Sequence, residues 1–457
     1  MKKDNNYILP TIGPETEDNL SLGKILKYSN VLRLNGSHNT LAWHKETIKK
    51  IKKIDPNCTI LFDIPGVKPR TLNESNILIK KNESINFIDT TYKSKKKDSI
   101  LLSNLIPKIT KTTDIFSIAD GQYSFKLIKS GKGFVNGKSL STFTLHPKKG
   151  LNIPNSIYDD NLQFGVYKNF IRKSKYIGYD AVGISFIQNG KMLKSLKNLF
   201  PELIMVSKVE NSEGLKNLDT ICLNSDAVMI DRGDLAAEIG DIYLYSAVNN
   251  IASETKRNGK PLIIATENLE SMQSRPSPTK SEIMSLGHSI SLNADKIMLS
   301  EESAISKNWL QIIKWLNKFF FTKIILPKKV NESILDDLDS NPIWKILDSS
   351  KDYPIVIFTR SGAAIEKAKS INPSIKIICF TDRVKTLKLS RFWSDVSCYY
   401  LKKFDNSKGN NFVFNTIKEF KKEIFKIRNT AIVLYISDPK PGSRANTVSV
   451  IKKSEFF

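Results

Sequence analysis

The sequence predicts an α/β protein built around a (β/α)8 TIM barrel, with a small β-barrel lid domain inserted into it and a C-terminal α/β domain after it. Eight short apolar segments, each ending in polar residues, alternate with stretches that have the helical period. One region breaks this alternation and has the two-residue period of antiparallel strands. A chain of 457 residues is also too long for one hydrophobic core, so it predicts several domains.

The eight apolar segments are interpreted as parallel strands because helical stretches, rather than tight turns, connect them. Residues 44–54 and 246–259 are examples of these connecting stretches. Parallel strands joined by crossover helices close into a barrel, and polar residues at the carboxyl ends of the strands build its active site. The predicted strands span residues 7–13, 31–37, 59–66, 180–186, 203–211, 226–234, 261–267 and 295–303.

The interruption lies between residue 67 and about residue 154. Within it, residues 115–145 alternate apolar and polar side chains, and turn signals occur at Asp120-Gly121, at 130–133 and at Asn136-Gly137. This pattern predicts a small antiparallel β module. Because the insertion follows the third predicted strand, we expect it to form a lid over the mouth of the barrel.

A second α/β pattern begins after residue 330. Apolar strands are predicted within residues 354–360, 375–382 and 430–437, and a helix is predicted within 361–370. These elements predict a smaller domain with a parallel sheet. We therefore expect the barrel at 1–66 and 155–330, the lid at 67–154 and the C-terminal α/β domain at 331–457.

The chain is strongly basic, with a formal net charge of +24. Its cations are mostly scattered lysines, in clusters such as 49–53 and 93–97, without an RNA-binding motif or interleaved aromatic residues. Solvated faces and a general attraction to anionic ligands explain this charge better than a specific nucleic-acid partner does.

The sequence features that report on cellular compartment favour the cytoplasm. The four cysteines are far apart and form no C-x-x-C pair, which fits a reducing environment. Proline and glycine interrupt residues 1–15, so no signal-peptide core is predicted. No apolar run reaches the ~18–20 residues of a membrane span, so a membrane partner is not expected.

Polar residues at five predicted strand ends suggest a phosphate and metal site. Glu210 and Asp234, on neighbouring strands, could share a divalent cation, because Mg²⁺ prefers one or two carboxylates plus substrate oxygens. Converging cations would neutralise a phosphate. Any one of these residues could instead form a salt bridge at the barrel rim, but the joint pattern favours a site. The strand-end residues are Arg33, Asn35, Ser37, Asp63, Lys208, Glu210, Arg232, Asp234, Thr266 and Glu267.

Several ordered motifs resemble the pyruvate kinase family across nearly the whole chain. TIGPETED, RLNGSH, SKVENSEGLKNLDTI and DAVMIDRGDLAAEIG are similar to family motifs of the barrel, as is KPLIIATENLESMQSRPSPTKSE. IADGQ and KKGLNIP are similar to lid motifs, and PKPGSRANTVSVIK is similar to the closing motif.

The resemblance implies roles for particular residues. It implies that Glu210 and Asp234 hold Mg²⁺ or Mn²⁺ and that Lys208 stabilises the transferring phosphoryl group and the enolate. Arg33 would contact the phosphate, and Thr266 would lie at the substrate carboxylate and the protonation face. The backbone N–H groups of Gly233 and Asp234 would also bind the carboxylate. Nucleotide phosphates would be bound by Asn35, His38, Arg70 and Lys149, with Lys149 supplied by the lid.

The stretch FDIPGVKPRT, residues 62–71, bears on a monovalent cation. Family members that need K⁺ hold it near positions that match Asn35, Ser37, Asp63 and the carbonyl of Ile64. Lys68 stands where those members have glutamate, and members with lysine at this position are independent of K⁺. The resemblance thus implies that Lys68 serves as an internal cation and that K⁺ is not required. A solvated lysine at the lid hinge is the alternative.

The chain departs from the family pattern at several positions, including Gly36, Asp231, Ala236, Glu267, Glu301 and Ser303. Asp231 and Glu267 add carboxylates, which could weaken anion binding or change the metal preference. Three functions therefore stay open. The chain could transfer a phosphoryl group from phosphoenolpyruvate to ADP in glycolysis, as a homotetramer. It could be a divergent paralogue with metal-enolate chemistry on another substrate, or a non-catalytic regulatory protein. Retention of Lys208, Glu210, Asp234 and Thr266 argues against the last.

Overall fold

The computed structural model describes residues 7–92, 99–110, 113–322, 353–402, 409–426, 428–435 and 447–456. The first part of the barrel supplies three strands and two helices. These are β1 (Ile8–Pro10), α1 (Asn19–Ile25), β2 (Val31–Asn35), α2 (Leu41–Ile54) and β3 (Thr59–Ile64).

Eight strands follow among the described residues of the predicted lid. They are β4 (Ile77–Ile79), β5 (Ser84–Ile88), β6 (Ser99–Leu101), β7 (Ile115–Ile118), β8 (Tyr123–Gly131), β9 (Phe134–Ser139), β10 (Phe143–Leu145) and β11 (Leu151–Asn152).

The chain then returns to alternating helices and strands. The elements are α3 (Asp160–Ser174), β12 (Ala181–Ile184), α4 (Gly190–Leu199), β13 (Ile204–Val209), α5 (Ser212–Lys216), α6 (Leu218–Asn224), β14 (Ala227–Asp231), α7 (Arg232–Ile239), α8 (Asp241–Arg257), β15 (Leu262–Ala265), α9 (Lys280–Ser291), β16 (Lys296–Leu299), α10 (Glu301–Ala304) and α11 (Trp309–Phe321). Short 3-10 helices cover Lys175–Ile177 and Glu270–Gln273.

The C-terminal part contains a further set of helices and strands. They are β17 (Ile355–Phe358), α12 (Ala363–Ile371), β18 (Ile377–Thr381), α13 (Val384–Ser390), β19 (Val396–Tyr400), α14 (Gly409–Glu419), α15 (Lys421–Ile424), β20 (Thr430–Tyr435) and β21 (Thr447–Lys452), with a 3-10 helix at Lys453–Glu455.

The central sheet confirms the predicted parallel barrel. Its eight strands run in the order β1-β16-β15-β14-β13-β12-β3-β2, and all eight predicted segments contain one of them. At the seam, Thr11 forms a parallel bridge with Arg33, and Ile12 N donates to Arg33 O at 2.9 Å. The sheet is therefore nearly closed.

Alternate residues of the barrel strands face two different cores. One set packs against the surrounding helices, and Leu32, Phe62 and Val228 belong to it. The other set fills the interior of the barrel, and Val31, Leu61 and Met229 belong to that one. The interior set joins the apolar residues of β17 and β18 in a single core cluster, which shows that the C-terminal sheet packs against the barrel.

The inserted segment forms two sheets around an aromatic core. A six-stranded sheet has the order β11-β7-β8-β9-β5-β6, and β4 pairs with β10. The pairing is antiparallel, as predicted, except between β5 and β6. Phe87, Phe116 and Phe125 are fully buried between them.

One predicted turn of the insertion is wrong. Asn136-Gly137 lies inside β9 instead of at a hairpin turn, and Gly137 pairs with Ile85 on one side and Leu127 on the other. A Cβ atom at Gly137 would lie 2.4 Å from the Phe116 ring. This glycine therefore makes room for an aromatic side chain, and it does not reverse the chain.

The C-terminal sheet has the order β19-β18-β17-β20-β21. Its first four strands are parallel, as predicted, and β21 is an antiparallel edge strand. The predicted boundary at 330/331, the lysine cluster at 93–97 and most of the closing motif lie outside the described residues. The domain boundaries stay predictions. Within the described ranges, no helix combines the length and apolar character needed to cross a membrane.

Candidate active site

The upper layer of the barrel interior is charged. Side chains two positions apart on a strand face the same side of the sheet. Each charged residue of this layer lies two positions after an inward-facing apolar residue. The apolar residues are Val31, Leu61, Val206 and Met229. The charged residues that follow them are Arg33, Asp63, Lys208 and Asp231.

Lys208 is the centre of this buried charge network. Its Nζ lies 2.7 Å from Glu210 Oε1, 3.2 Å from Asp231 Oδ2 and 3.4 Å from Asp63 Oδ2. It also donates to Ser185 Oγ at 3.4 Å. One buried ammonium therefore faces three carboxylates.

Arg33 is held at the seam of the barrel. Its Nη2 and Nε donate to Asp63 Oδ2 at 2.7 and 3.0 Å, and its Nη1 donates to Thr11 Oγ1 at 2.8 Å. The sequence placed Arg33 and Asp63 at neighbouring strand ends, but it did not identify Thr11 as a partner. The ion pair orients the guanidinium in the same layer as Lys208.

Three carboxylates form a group that could hold a metal ion. Ligand oxygens of Glu210, Asp231 and Asp234 all lie within 4.8 Å of one another. The second oxygen of Glu210 accepts from Phe186 N at 2.6 Å, and this bond fixes the fully buried carboxylate. A set of carboxylate oxygens suits hard cations such as Mg²⁺ and Mn²⁺. The residues present therefore fit a divalent cation.

The buried charged groups of the site have shifted pKa values, and the direction depends on whether burial or the neighbouring charges dominate. Burial raises the pKa of Glu210 to about 8, and burial also raises the pKa of Asp231. Burial opposes the charge of Asp63 as well, but Lys208 and Arg33 outweigh it and lower its pKa. The pKa of Lys208 is raised, because the surrounding carboxylates outweigh the effect of its burial. A bound divalent cation would favour the ionised carboxylates.

The segment after β15 holds Thr266 in a strained conformation. Thr266, Glu267 and Leu269 all have positive φ, at 60°, 51° and 61°. Arg232 stabilises this segment, since its guanidinium donates to the carbonyls of Thr266 and Glu267 and to Asn268 Oδ1. Such strain persists only where the surroundings fix it, and it is common at functional sites. Arg232 was predicted at a strand end, but this role could not be predicted from the sequence.

The hydroxyl of Thr266 connects two strand ends. It shares its single proton between Ala265 O at 2.7 Å and Asp231 Oδ1 at 3.2 Å, and it accepts from Gly233 N at 3.1 Å. Gly233 and Asp234 are in the first turn of α7, where N–H groups have no intrahelical partners and the helix dipole is positive. An anion that bound Gly233 N–H would therefore replace the hydroxyl of Thr266 as the acceptor of this hydrogen bond.

Lys68 joins the insertion to the barrel mouth. It is buried, and its Nζ lies 2.6 Å from Asp234 Oδ1 and 2.8 Å from Asp120 Oδ1. Asp120 belongs to the turn between β7 and β8. Gly150 lies against this lysine, since a Cβ atom there would be 2.6 Å from Lys68 Cε.

The residues predicted to bind nucleotide phosphates form two pairs. Arg70 forms an antiparallel β-bridge with Gly150, and Lys149 O accepts from Thr71 N. Arg70 and Lys149 therefore lie on adjacent segments of the insertion. Asn35 is the last residue of β2 and His38 follows in the next turn, where His38 N donates to Asn35 O at 3.2 Å. Within the described part of the chain, no hydrogen bond or ion pair joins the two pairs. His38 and Arg70 are exposed, and the binding of nucleotide phosphates by these four residues stays a prediction.

The positions predicted to surround a monovalent cation have other contacts. Asn35 Oδ1 accepts from Ser37 N at 3.1 Å, and Ile64 O accepts from Ser185 Oγ at 3.3 Å. The polar contacts of the Lys68 ammonium, among the described residues, go to Asp120 and Asp234. The internal-cation role of Lys68 stays a prediction.

A family model described as the barrel domain of pyruvate kinase matches residues 3–311. The chain belongs to the pyruvate kinase family. Curated relatives include a cytosolic pyruvate kinase isozyme of Nicotiana tabacum, 27% identical over 83% of this chain and 80% of the relative. The pyruvate kinase of Thermotoga maritima is 27% identical over 83% of this chain and 85% of its own.

A solved structure of a pyruvate kinase from Cryptosporidium parvum is similar to the whole fold. It is 25% identical, with a TM-score of 0.79, and the match covers 98% of this chain and 96% of that chain. The similarity therefore extends through the insertion and the C-terminal part.

The departures from the pyruvate kinase pattern occupy different places. Asp231 lies among the site carboxylates, whereas the side chains of Glu267 and Glu301 are exposed. Ala236 is partly buried on α7. Gly36 packs closely, since a Cβ atom there would lie 3.0 Å from Asp63 O. Of the two added carboxylates that the sequence singled out, Asp231 is the one inside the site.

Proposed function

We propose that this chain is an active pyruvate kinase that transfers a phosphoryl group from phosphoenolpyruvate to ADP. The observation that supports the proposal most is the ammonium of Lys208 in the buried upper layer, beside the carboxylates that could bind a metal. Phosphoryl transfer depends on positioning and on neutralising charge, and it needs no protein nucleophile. This arrangement supplies both.

In the proposed reaction, the bond between phosphorus and the enol oxygen breaks. A terminal oxygen of ADP forms the new bond to phosphorus, and the enolate takes up a proton at carbon to give pyruvate. Lys208 and Arg33 stabilise the negative charge of the phosphoryl group. Thr266 lies at the face where the proton is added, and the first turn of α7 binds the substrate carboxylate through Gly233 and Asp234.

Glu210 and Asp234 would hold Mg²⁺ or Mn²⁺, which supplies positive charge to the phosphoryl and enolate oxygens when bound. Asn35, His38, Arg70 and Lys149 bind the nucleotide phosphates, with Arg70 and Lys149 supplied by the insertion. Closure of this lid excludes water that would otherwise accept the phosphoryl group.

The proposal extends to further properties that the resemblance implies. Lys68 replaces a bound monovalent cation, so activity does not need K⁺. The protein acts in the cytoplasm, in glycolysis, as a homotetramer. The second candidate function is metal-enolate chemistry on another substrate, and the added carboxylate of Asp231 favours it because that charge changes the anion site.

The test is pyruvate formation from phosphoenolpyruvate, ADP and Mg²⁺, followed through NADH oxidation by lactate dehydrogenase. Omitting each of the three in turn is the control, and each omission should abolish the signal. Turnover with all three at 1–10³ per second, a typical range for enzymes, is the expected result. Absence of pyruvate from a folded protein at saturating metal would refute this function.

A further inference from the structure

Asp231 occupies a position that neither the metal assignment nor the catalytic assignment explains. It is the last residue of β14, it faces the barrel interior, and it is buried. Its Oδ2 lies 3.2 Å from Lys208 Nζ, and its Oδ1 accepts from Thr266 Oγ1 at 3.2 Å. Its carboxylate lies within the same 4.8 Å group as Glu210 and Asp234.

The charges in this part of the barrel do not balance. Arg33 pairs with Asp63, and Lys68 pairs with Asp234. Lys208 then remains as the cation that contacts Glu210 and Asp231 in the described structure, and its ammonium also lies 3.4 Å from Asp63 Oδ2. A buried carboxylate that is not paired with a positive charge is energetically costly. An additional cation would therefore stabilise the ionised carboxylates of Glu210, Asp231 and Asp234.

The contact of Lys68 with Asp234 strengthens this argument. The ammonium lies 2.6 Å from Asp234 Oδ1, so it competes with any cation for that oxygen. Asp231 adds a carboxylate next to the one whose charge Lys68 partly neutralises. Asp231 departs from the family pattern and Lys68 departs from the pattern of the K⁺-dependent members, and their charges are opposite.

We propose that Asp231 is a third carboxylate ligand of the divalent cation and that the cation binds before any substrate does. The inference rests on the metal site of the proposed function and deepens it. Three carboxylates supply half of an octahedral shell without help from substrate oxygens. A site with only Glu210 and the partly neutralised Asp234 would depend on the substrate to complete it.

The alternative role of Asp231 is to position Thr266 through its hydrogen bond. Asp231→Asn separates the two roles, because the amide oxygen still accepts from the hydroxyl but has lost the charge. Asp231→Ala removes both. Asp219→Asn, at an exposed position of α6, is the matched control.

The experiment measures free Mn²⁺ by electron paramagnetic resonance during titration of the full chain, without phosphoenolpyruvate or ADP. We expect wild-type protein to bind Mn²⁺, and we expect Kd to rise at least about tenfold in both Asp231→Asn and Asp231→Ala. Asp219→Asn should bind like wild type. Circular dichroism and thermal unfolding establish that each variant is folded.

Two results would overturn the inference. One is a wild-type chain that binds no Mn²⁺ without substrate, and the other is a folded Asp231→Asn variant whose Kd stays within twofold of wild type. The proposed function is tested separately by pyruvate formation. Tight Mn²⁺ binding through Asp231 without pyruvate formation would refute the proposed function alone, and pyruvate formation with unchanged Kd would refute this inference alone.

Discussion

The ammonium of Lys68 lies 2.6 Å from Asp234 Oδ1 and 2.8 Å from Asp120 Oδ1, so one lysine connects the lid with the mouth of the barrel. Burial opposes its charge, but the two carboxylates outweigh burial and raise its pKa. Lys68 is therefore charged at neutral pH. This fixed positive charge, next to carboxylates that could bind a metal, is the observation behind our proposal that activity does not need K⁺.

Exchanging Lys68 for glutamate should create a requirement for a monovalent cation. Lys68→Glu removes the internal charge and adds a carboxylate, so the site needs a positive charge from solution. Pyruvate formation is measured in tetramethylammonium buffer with and without KCl. We expect KCl to raise the activity of the variant more than tenfold and to leave wild type nearly unchanged.

Lys126→Glu is the matched control, because Lys126 is an exposed lysine of the lid and the change in net charge is the same. It should respond to KCl like wild type. A wild-type activity that itself rises more than tenfold with KCl contradicts the internal-cation role.

Replacing Lys208 should remove most of the turnover and leave metal binding intact. Loss of one preorganised donor to developing charge typically lowers kcat by ~10²–10³, and a full positive charge should count for at least as much. We expect Lys208→Ala to lose at least about 100-fold in kcat. Mn²⁺ should bind at least as well, since the ammonium no longer opposes the cation.

The control for this variant is Lys216→Ala, which removes an exposed lysine that pairs with Glu213. Steady-state kinetics and Mn²⁺ titration are measured for both variants. If Lys208→Ala turns over at a rate near that of wild type, its assignment is wrong.

Glu210→Gln should raise the Mg²⁺ concentration that gives half of the maximal activity. The amide keeps the shape of the side chain and the acceptor for Phe186 N, but it no longer supplies a charged ligand. We expect this Mg²⁺ concentration to rise at least about tenfold, which is the lower end of the loss in metal affinity or activity that perturbed metal sites show. Glu213→Gln, a nearby glutamate that pairs with a surface lysine, should titrate like wild type. An unchanged Mg²⁺ requirement in Glu210→Gln would exclude this residue as a ligand.

The sequence predicted the barrel well because its signal is local. Each strand is a short apolar segment that ends in polar residues, and the alternation of side chains fixes which of those residues face inward. Arg33, Asp63 and Lys208 follow from that rule. Asp231 follows from it too, since it lies two residues after the inward-facing Met229.

Contacts between distant segments could not be predicted in this way. Lys68 and Asp234 are 166 positions apart, and their pairing depends on how the insertion docks on the barrel. The predicted turn at Gly137 was wrong because it, too, depends on a contact between distant segments. Its dipeptide is a common turn signal, but the Phe116 ring that requires a glycine there comes from another strand.

The lower end of the barrel offers a test of pH-dependent stability. Lys296 begins β16 two residues before the inward-facing Met298, so it faces inward where the C-terminal sheet packs. It is fully buried, and burial lowers its pKa to about 7 despite the nearby Asp295 and Asp395. In the unfolded chain its pKa is ~10.4. Between these two values the unfolded state binds more protons, so stability attributable to Lys296 rises with pH.

Lys296→Met should therefore stabilise the protein most at low pH, because it removes the need to bury a charge or to lose a proton. We expect the Tm of the variant to exceed that of wild type at pH 6, and the difference in Tm to narrow as the pH rises from about 7 to 9. The limiting slope is ~1.4 kcal/mol per pH unit for one proton. Lys367→Met is the control, because Lys367 is a lysine of α12 that is partly exposed and should show no such trend. A difference in Tm that is independent of pH between 6 and 9 would contradict the prediction. It would mean that Lys296 stays protonated on folding because nearby carboxylates compensate its charge.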